Sequence, residues 1–552
     1  MNENMYYKKR EILITSALPY ANGSLHLGNI LEHIQCDIWS RYHFINGSLC
    51  LKICGDDAHG TPIMLHAKKI GLKPKDLIKR VYNEHIVDFI GFFVYYDNYY
   101  TTHSIENKVF VYKIFNKLYK RNYIKKDIIN PFFDVSSNIF LPDRYIVGQC
   151  PKCYSDNQYG DNCIICGAFY DSFDIINPIS VISGKIPEIK QTTHYFFCLY
   201  KFHDILKIWI IQNKLNDSVL NKLNEWFSIG LKRWDISRDY PYFGFKIPNE
   251  KDKYFYVWLD APIGYISIFE NLCNKNKYHN FSKFWKKNTN VELYHFIGKD
   301  IIYFHTLFWP AILYGSNMKM PNNVFIHGFL TILGSKMSKS KGTLITASDF
   351  LKHIDGEYLR YYYASKLNNS IEDIDLSVDD FIYKINSNII GKFINIISRI
   401  SALIELYFDN FLSKEISFIN LNVFNDFIKY KCVIDEYYEN RNYYLVLKSV
   451  MFLCDKLNVY INNQKPWILI KEKNNFHVTH EICTTIINIF KILTFYIKPV
   501  LPSISNNIEH VLNISPLNSE NFFIILVNHK INSYFRFINR LDKNSFNNVI
   551  KF

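Results

Sequence analysis

The stretch that decides the fold is Ile12-Leu13-Ile14-Thr15-Ser16-Ala17-Leu18-Pro19-Tyr20-Ala21-Asn22-Gly23-Ser24-Leu25-His26-Leu27-Gly28-Asn29. It opens with a short apolar and β-branched run, as expected of a strand buried in a parallel sheet. Pro19, Asn22 and Gly23 then turn the chain. From Leu27 the apolar residues Ile30, Leu31, Ile34, Ile38 and Trp39 recur at helical spacing. Strand, glycine-containing turn and helix together open a nucleotide-binding α/β domain. The helix start offers unbonded backbone N–H groups to an anion. His26 can donate to phosphate oxygens, and Gly28 lets a base or ribose lie close to the backbone. Taken alone, such a segment is more often an ordinary capped turn.

The same α/β pattern returns later in the chain. Glu292–Ile297 reads as a strand and Ile301–Tyr314 as a helix; Val324–Ile332 reads as a further strand. A loop rich in Gly, Ser and Lys follows, with Lys336-Met337-Ser338-Lys339-Ser340 set between Gly334 and Gly342. Two ammonium groups on such a loop can close over a triphosphate and neutralise charge that grows as its α-phosphorus is attacked. Between the two α/β stretches, turns, Pro131, Pro142, Pro151 and a cysteine cluster mark an insertion. From about Ile389 helical periodicity dominates to the end, which predicts an α-helical bundle. The expected division is a Rossmann-like domain over 1–122 and 241–333 and an insertion over 123–240. A region opening with this loop, over 334–388, and a helical domain over 389–552 complete it.

The cysteine cluster is Cys150-x2-Cys153-x9-Cys163-x2-Cys166. Four thiolates at this spacing predict one closed, structural zinc site, with an iron–sulfur cluster or free thiols as the alternatives. The flanking Gly148, Pro151, Gly160 and Gly167 read as the turns of the knuckles. The other eight of the 12 cysteines, among them Cys36, Cys198 and Cys432, are scattered. That is no disulfide framework, and it predicts a reducing, cytoplasmic setting.

Composition adds bounds. A chain of 552 residues is too long for one core. The net charge of +13 fits a polyanionic partner such as a tRNA, although on charge alone a lysine-rich soluble surface is the simpler reading. Abundant Ile, Asn, Lys, Tyr and Phe reflect A/T-rich codons, so single Lys or Asn residues carry little message. Met1–Arg10 is polar and basic, unlike a secretory signal. Apolar stretches such as Ile489–Ile497 are broken by charges such as Lys491, which predicts buried helix and no membrane partner.

Together and in this order, His26-Leu27-Gly28-Asn29 and Lys336-Met337-Ser338-Lys339-Ser340 resemble the HIGH and KMSKS signatures of class I aminoacyl-tRNA synthetases. Three further stretches resemble the amino-acid pocket of the methionyl members, in their single-zinc bacterial form. They are Thr15–Gly23, Tyr256–Tyr265 and Gly298–His305, leading on to Trp309. The resemblance implies a ligase that activates methionine with Mg-ATP and passes it to the 3′ end of tRNA(Met), initiator and elongator, for translation. Its catalytic residues would be His26, Asn29, Lys336 and Lys339, with Gly28, Asp300 and Lys339 on ATP. Methionine would meet Leu18, Tyr20, Trp258, Ala261, Pro262, Tyr265, Ile301, His305 and Trp309, with Asp57 on its ammonium. Aromatic faces suit a thioether, and Tyr20 or His305 would supply a donor near the sulfur. The resemblance also makes Cys150, Cys153, Cys163 and Cys166 the zinc knuckle. It gives the anticodon to Asn395, Arg399 and Trp467, residue types that stack on and hydrogen-bond splayed bases.

The chain departs from the family pattern in places. Asn29 stands where the signature has its second His; an amide still donates but carries no proton charge. Gly391-Lys392 stands where Asn-Lys is common. The chain stops at Phe552, without the C-terminal dimerisation module of longer relatives, which predicts a monomer. Valyl, leucyl and isoleucyl enzymes carry a large editing insertion, and a cysteinyl enzyme uses zinc in its active site. A non-catalytic tRNA-binding scaffold would need none of His26, Asp57, Trp258, Lys336 or Lys339.

Overall fold

The computed structural model describes residues 9–168, 170, 172–213, 215–276, 280–332, 334–336, 344–547 and 549. Five strands form the central sheet: β1 (Glu11–Ser16), β2 (Leu49–Asp56), β3 (Asn98–Thr101), β4 (Glu292–Gly298) and β5 (Asn323–His327). Their order is β5-β4-β1-β2-β3, and every pairing is parallel. Ile14 faces Tyr294 on one side and Lys52 on the other, so β1 is central. A central parallel strand is covered on both faces, which is why its sequence is a continuous run and not an alternation. The chain leaves β1 for β2 on one side while β4 fills the other. The carboxyl ends of β1 and β4 therefore flank a topological switch point, where such sheets bind ligands.

Helix α1 (Leu27–Ile45) follows the turn after β1 and runs for 19 residues, roughly 28 Å. It is buried nearly all round because the sheet lies on one side and the C-terminal helices on the other. Helix α2 (Val257–Lys275) packs on β2 and β3. Between Ile124 and Asp239 the insertion builds small antiparallel sheets. Strand Ile124–Ile129 pairs with Thr192–Phe197, and Ile146–Gln149 lies between Gln158–Tyr159 and Ile176–Ser180.

The C-terminal half is helical, with α3 (Gly356–Ala364), α4 (Asn395–Phe408), α5 (Tyr443–Gln464) and α6 (Phe476–Ile497). Helix α6 is the core of the bundle. By length and composition it could cross a membrane, yet 83% of that window is buried inside the protein. Lys491 within it donates to the Ile524 carbonyl. The bundle grips α1 along its length: Tyr363 Oη donates to Leu27 O (2.9 Å) and Tyr443 Oη to Gln35 O (3.0 Å). Arg360, fully buried, pairs with Asp37 at 2.8 Å and also donates to Pro499 O and Val500 O.

Some expected elements differ. Val324–Ile332 is two strands: β5 in the main sheet, and Leu330–Ile332 in a small sheet beside Ile374–Leu376. Gly328 makes the break, because a Cβ there would stand 2.0 Å from Glu372 O. Ile301–Tyr314 is not one regular helix; a π-helical turn, Phe304–Phe308, precedes the helix Trp309–Gly315. The bundle's helices do not continue to the end, since Asn513–Leu541 holds neither helix nor strand. That segment wraps the bundle, burying Leu517, Phe522, Ile531 and Ile538.

Candidate active site

The switch-point crevice is a cavity of about 740 Å³. His26, Gly28 and Asn29 line it from the start of α1, and Asp300 from the end of β4. His26 is the N-cap of α1: its Nδ1 accepts from Asn29 N at 3.3 Å, while Asn29 Oδ1 accepts from His26 N at 3.2 Å. This reciprocal pair satisfies two backbone donors and orients both side chains. With Nδ1 accepting, the neutral imidazole carries its proton on Nε2. With Oδ1 accepting, Asn29 keeps its amide hydrogens to donate. Gly298 at the end of β4 leaves room for the Asp300 carboxylate, since a Cβ there would lie 2.7 Å from Asp300 Oδ1 and make that side chain turn.

Leu18, Tyr20, Asp57, Trp258, Ala261, Pro262, Tyr265, Ile301 and His305 line the same cavity. Pro262 sits inside α2 and lacks the N–H that would bond the Trp258 carbonyl, so the first turn opens onto the cleft. Trp258 stacks flat on Phe304, with centroids 3.6 Å apart. Asp57 pairs by backbone with Tyr20 just past the ends of β2 and β1. Its Oδ1 is buried with no hydrogen-bond partner. Burial, then the neighbouring Asp260 and Asp56, push its carboxyl well above the usual range. A buried carboxyl with an unmatched oxygen fits a ligand ammonium.

His305 lines the cleft, but its Nδ1–H donates to Ile301 O (3.2 Å) and its Nε2 accepts from Tyr265 Oη (2.9 Å). Burial holds its pKa down at about 4, so it is neutral and has no N–H left for a sulfur. That expectation passes to Tyr20. Trp309 does not line the cavity. It is fully buried behind Tyr265, where Nε1–H donates to His295 Nε2 at 3.0 Å. His295 in turn bonds Thr15 and stacks on Tyr265 at 4.9 Å. Trp309 therefore braces the pocket wall.

The four cysteines also converge. Their sulfurs all lie within 4.8 Å of one another, with Cys150–Cys166 at 3.8 Å and Cys153–Cys163 at 3.5 Å. Zinc–sulfur bonds of about 2.3 Å place tetrahedral sulfurs roughly 3.8 Å apart, so the donor set fits zinc. Two equivalent turns build it: Tyr154 N donates to Cys150 O and Gly167 N to Cys163 O, both at 3.0 Å. Lys152 N and Cys166 N donate to Cys150 Sγ and Cys163 Sγ, each at 3.3 Å. Of the expected turn glycines only Gly167 has positive φ; Tyr154 takes that conformation in the first knuckle. Gly148 and Gly160 instead allow backbone to approach, since a Cβ on either would meet a carbonyl oxygen at 2.5 and 2.8 Å.

A family model described as tRNA synthetases class I (M) matches residues 12–401. The methionine–tRNA ligase of Buchnera aphidicola subsp. Acyrthosiphon pisum (strain Tuc7) is 50% identical over 533 residues, covering 97% of each chain. This chain belongs to the methionyl-tRNA synthetase family. The ligase of Buchnera aphidicola subsp. Baizongia pistaciae (strain Bp) is 48% identical over 526 residues, covering 95% of this chain and 96% of the relative. The Mycobacterium tuberculosis methionyl-tRNA synthetase, solved with methionyl-adenylate, shares the fold at a TM-score of 0.79 and 20% identity. That match covers 95% of this chain and 98% of the solved one.

Within this synthetase fold, the anticodon candidates also meet. Asn395 and Arg399 lie one turn apart on α4, and the Arg399 guanidinium sits 4.7 Å from the centre of the Trp467 ring. Lys465, in a left-handed conformation, ends α5, and Pro466 starts the next short helix, which presents Trp467. The Lys336 backbone ends a strand, Ser335–Lys336, that pairs with Leu330–Ile332; Lys339 lies outside the described residues.

Several cleft residues were missed. Glu32 stands one turn beyond Gly28 on α1, and its carboxylate is 3.5 Å from His327 Nε2. The i+4 spacing from Gly28 was a legible signal for it. Arg238, Tyr242 and Tyr256 also line the cavity, with the Arg238 guanidinium 3.7 Å over the Tyr256 ring. No local motif announces Arg238 or Tyr242, whereas Tyr256 opens the pocket stretch Tyr256–Tyr265. Arg144 and Tyr145 reach the cleft from the zinc-bearing insertion.

Proposed function

We propose that this methionine–tRNA ligase works through the residues gathered at its switch-point crevice. The observation that carries the reading is the meeting, in one cavity, of the capped His26–Asn29 helix start, the unmatched Asp57 carboxyl and the Trp258–Tyr265 wall. Asp57 takes the methionine ammonium, and Leu18, Trp258, Ala261, Pro262, Tyr265 and Ile301 enclose the thioether. The methionine carboxylate attacks the α-phosphorus of Mg-ATP in line, methionyl-adenylate forms and pyrophosphate leaves. No covalent enzyme intermediate is required, because positioning and charge stabilisation supply the rate. His26 Nε2–H, the Asn29 amide and the N–H groups of the first turn of α1 hold the phosphates from one side. Lys336 and Lys339 close from the other. Asp300 and Glu32 accept from the adenosine ribose. The terminal ribose hydroxyl of the tRNA then attacks the adenylate carbonyl, the carbonyl–phosphate bond breaks, and AMP leaves as the hydroxyl proton passes to its phosphate.

Zinc at Cys150, Cys153, Cys163 and Cys166 supplies structural cross-linking only, because all four positions of a tetrahedron are filled by protein. Asn395, Arg399 and Trp467 bind the anticodon. The partners are tRNA(Met), ATP and methionine, the setting is the cytoplasm and the state is a monomer, which light scattering would test. The deciding experiment is methionine-dependent ATP–pyrophosphate exchange with valine, leucine, isoleucine and cysteine as controls. Exchange with methionine alone is expected. No exchange with any amino acid from folded, zinc-loaded protein would mean a scaffold.

A further inference from the structure

A second cleft, of about 340 Å³, lies between the segment leading into α4 and the first half of α5. Tyr361, Leu447 and Met451 form its apolar floor. One wall is the π-helical stretch Lys384–Ile394, which presents Lys384 and Asn388. The other is Tyr444, Lys448 and Phe452, spaced at i, i+4 and i+8 on α5. Tyr444 is 43% and Phe452 54% exposed, so two aromatic rings stand open beside two ammonium groups.

Charge favours an anion here. Neither Lys384 nor Lys448 has a carboxylate within salt-bridge distance among the described residues. The acids nearby are already matched, Asp455 by Lys392 and Asp380 by Lys366, each at 2.7 Å. Burial lowers the pKa of Lys384 from the usual lysine range, with Asp380 opposing that shift and Lys366 adding to it. A phosphate would relieve that partly buried charge.

We propose that this cleft binds an unpaired stretch of the tRNA strand, one base on Tyr444, another on Phe452 about 12 Å further along the helix, and the phosphate between them on Lys384 and Lys448. Exposed aromatics interleaved with lysines are how proteins hold unpaired nucleotides. The cleft is also continuous with the anticodon face. Lys384, Asn388, Lys392, Asn395 and Arg399 recur every three or four residues along one unbroken helical rod. The proposal rests on reading Asn395, Arg399 and Trp467 as tRNA contacts.

The test uses the full-length enzyme and a tRNA transcript, with two double variants, Lys384→Ala/Lys448→Ala and Tyr444→Ala/Phe452→Ala. Arg399→Ala serves as the reference. Methionine-dependent exchange should stay within about twofold of the parent, while the KM for tRNA rises about tenfold in each double variant. The lysine pair should also flatten the salt dependence of tRNA binding by about 1 to 2 in log–log slope. Lys384→Arg/Lys448→Arg should restore both. An unchanged tRNA KM in both double variants, with Arg399→Ala still defective, overturns the proposal and leaves the anticodon reading standing. An unchanged KM in all three overturns both. Loss of exchange in either double variant assigns those residues to the fold and overturns it too.

Discussion

His26 and Asn29 cap one another: each side chain accepts from the other's backbone N–H, at 3.3 and 3.2 Å. This explains why an amide can stand in the second signature position. The side-chain oxygen closes the cap and leaves the amide hydrogens unused by it, on a residue that lines the cleft.

The first prediction follows from that geometry. Asn29→Ala removes an acceptor and a donor together. Pyrophosphate exchange should fall about 100-fold, and unfolding free energy by about 1 kcal/mol. Asn29→His should stay within a few-fold of the parent, since imidazole can accept with one nitrogen and donate with the other. Asn29→Asp keeps the acceptor but sets a negative charge against the phosphates, so it should fold well and exchange poorly. Exchange assays with urea melts on the three variants check the pattern; a fully active Asn29→Ala would refute it.

Asp57 gives a prediction in pH. Burial, with Asp260 and Asp56 nearby, raises its pKa in the folded, empty enzyme. Between the unfolded and folded pKa the native state then holds more protons than the unfolded one, so stability falls as pH rises. Methionine's ammonium stabilises the carboxylate and should reverse that slope, with proton release on binding. Its KM should rise as pH falls. Asp57→Asn should remove the pH slope and raise the KM for methionine about 100-fold, the equivalent of about 2.7 kcal/mol. Calorimetry in buffers of different ionisation enthalpy reads the proton directly. No proton release would contradict the assignment.

These residues show what could be read in advance. The buried strand, the helix from Leu27 and the knuckle cysteines each carry a local pattern of period or spacing, so their places were legible. The split at Gly328 was not, because it depends on Glu372 approaching from far along the chain. The place of Trp309 behind Tyr265, and the use of both His305 ring nitrogens within the wall, were not legible for a related reason. Aromaticity marks a residue for a pocket wall, but only tertiary hydrogen bonds tell the lining from its brace. Arg238, at the insertion's end, and Tyr242, just past it, enter the cleft by topology alone.

Removing zinc should act locally. The insertion has its own small core of Phe132, Ile139, Leu141, Ile146 and Ile175, separate from the main clusters. Cys150→Ala, or chelation, should lower metal content from one zinc per chain towards none and loosen the knuckle while the sheet and bundle stay folded. Because Arg144 and Tyr145 reach the cleft from that insertion, exchange should drop about tenfold. Metal analysis beside the exchange assay checks both halves. Full activity in zinc-free protein would show that the insertion does not shape the cleft.

The Arg399–Trp467 pair yields the last prediction. The guanidinium lies over the indole face at 4.7 Å, partly desolvated, an arrangement that pre-orients both groups for a base. Trp467→Ala removes the platform and releases Arg399 together, so the tRNA KM should rise about 10- to 100-fold. Trp467→Phe keeps a face and should recover most of that loss. Arg399→Lys should not recover like a conservative change, because an ammonium has neither the planar fork nor the stacking surface. The two sites are coupled through one ring contact, so the double variant Arg399→Ala/Trp467→Ala should cost less than the sum of the single variants. Aminoacylation kinetics across this double-mutant cycle measure the coupling, and strict additivity would show that the pair does not act as a unit on the tRNA.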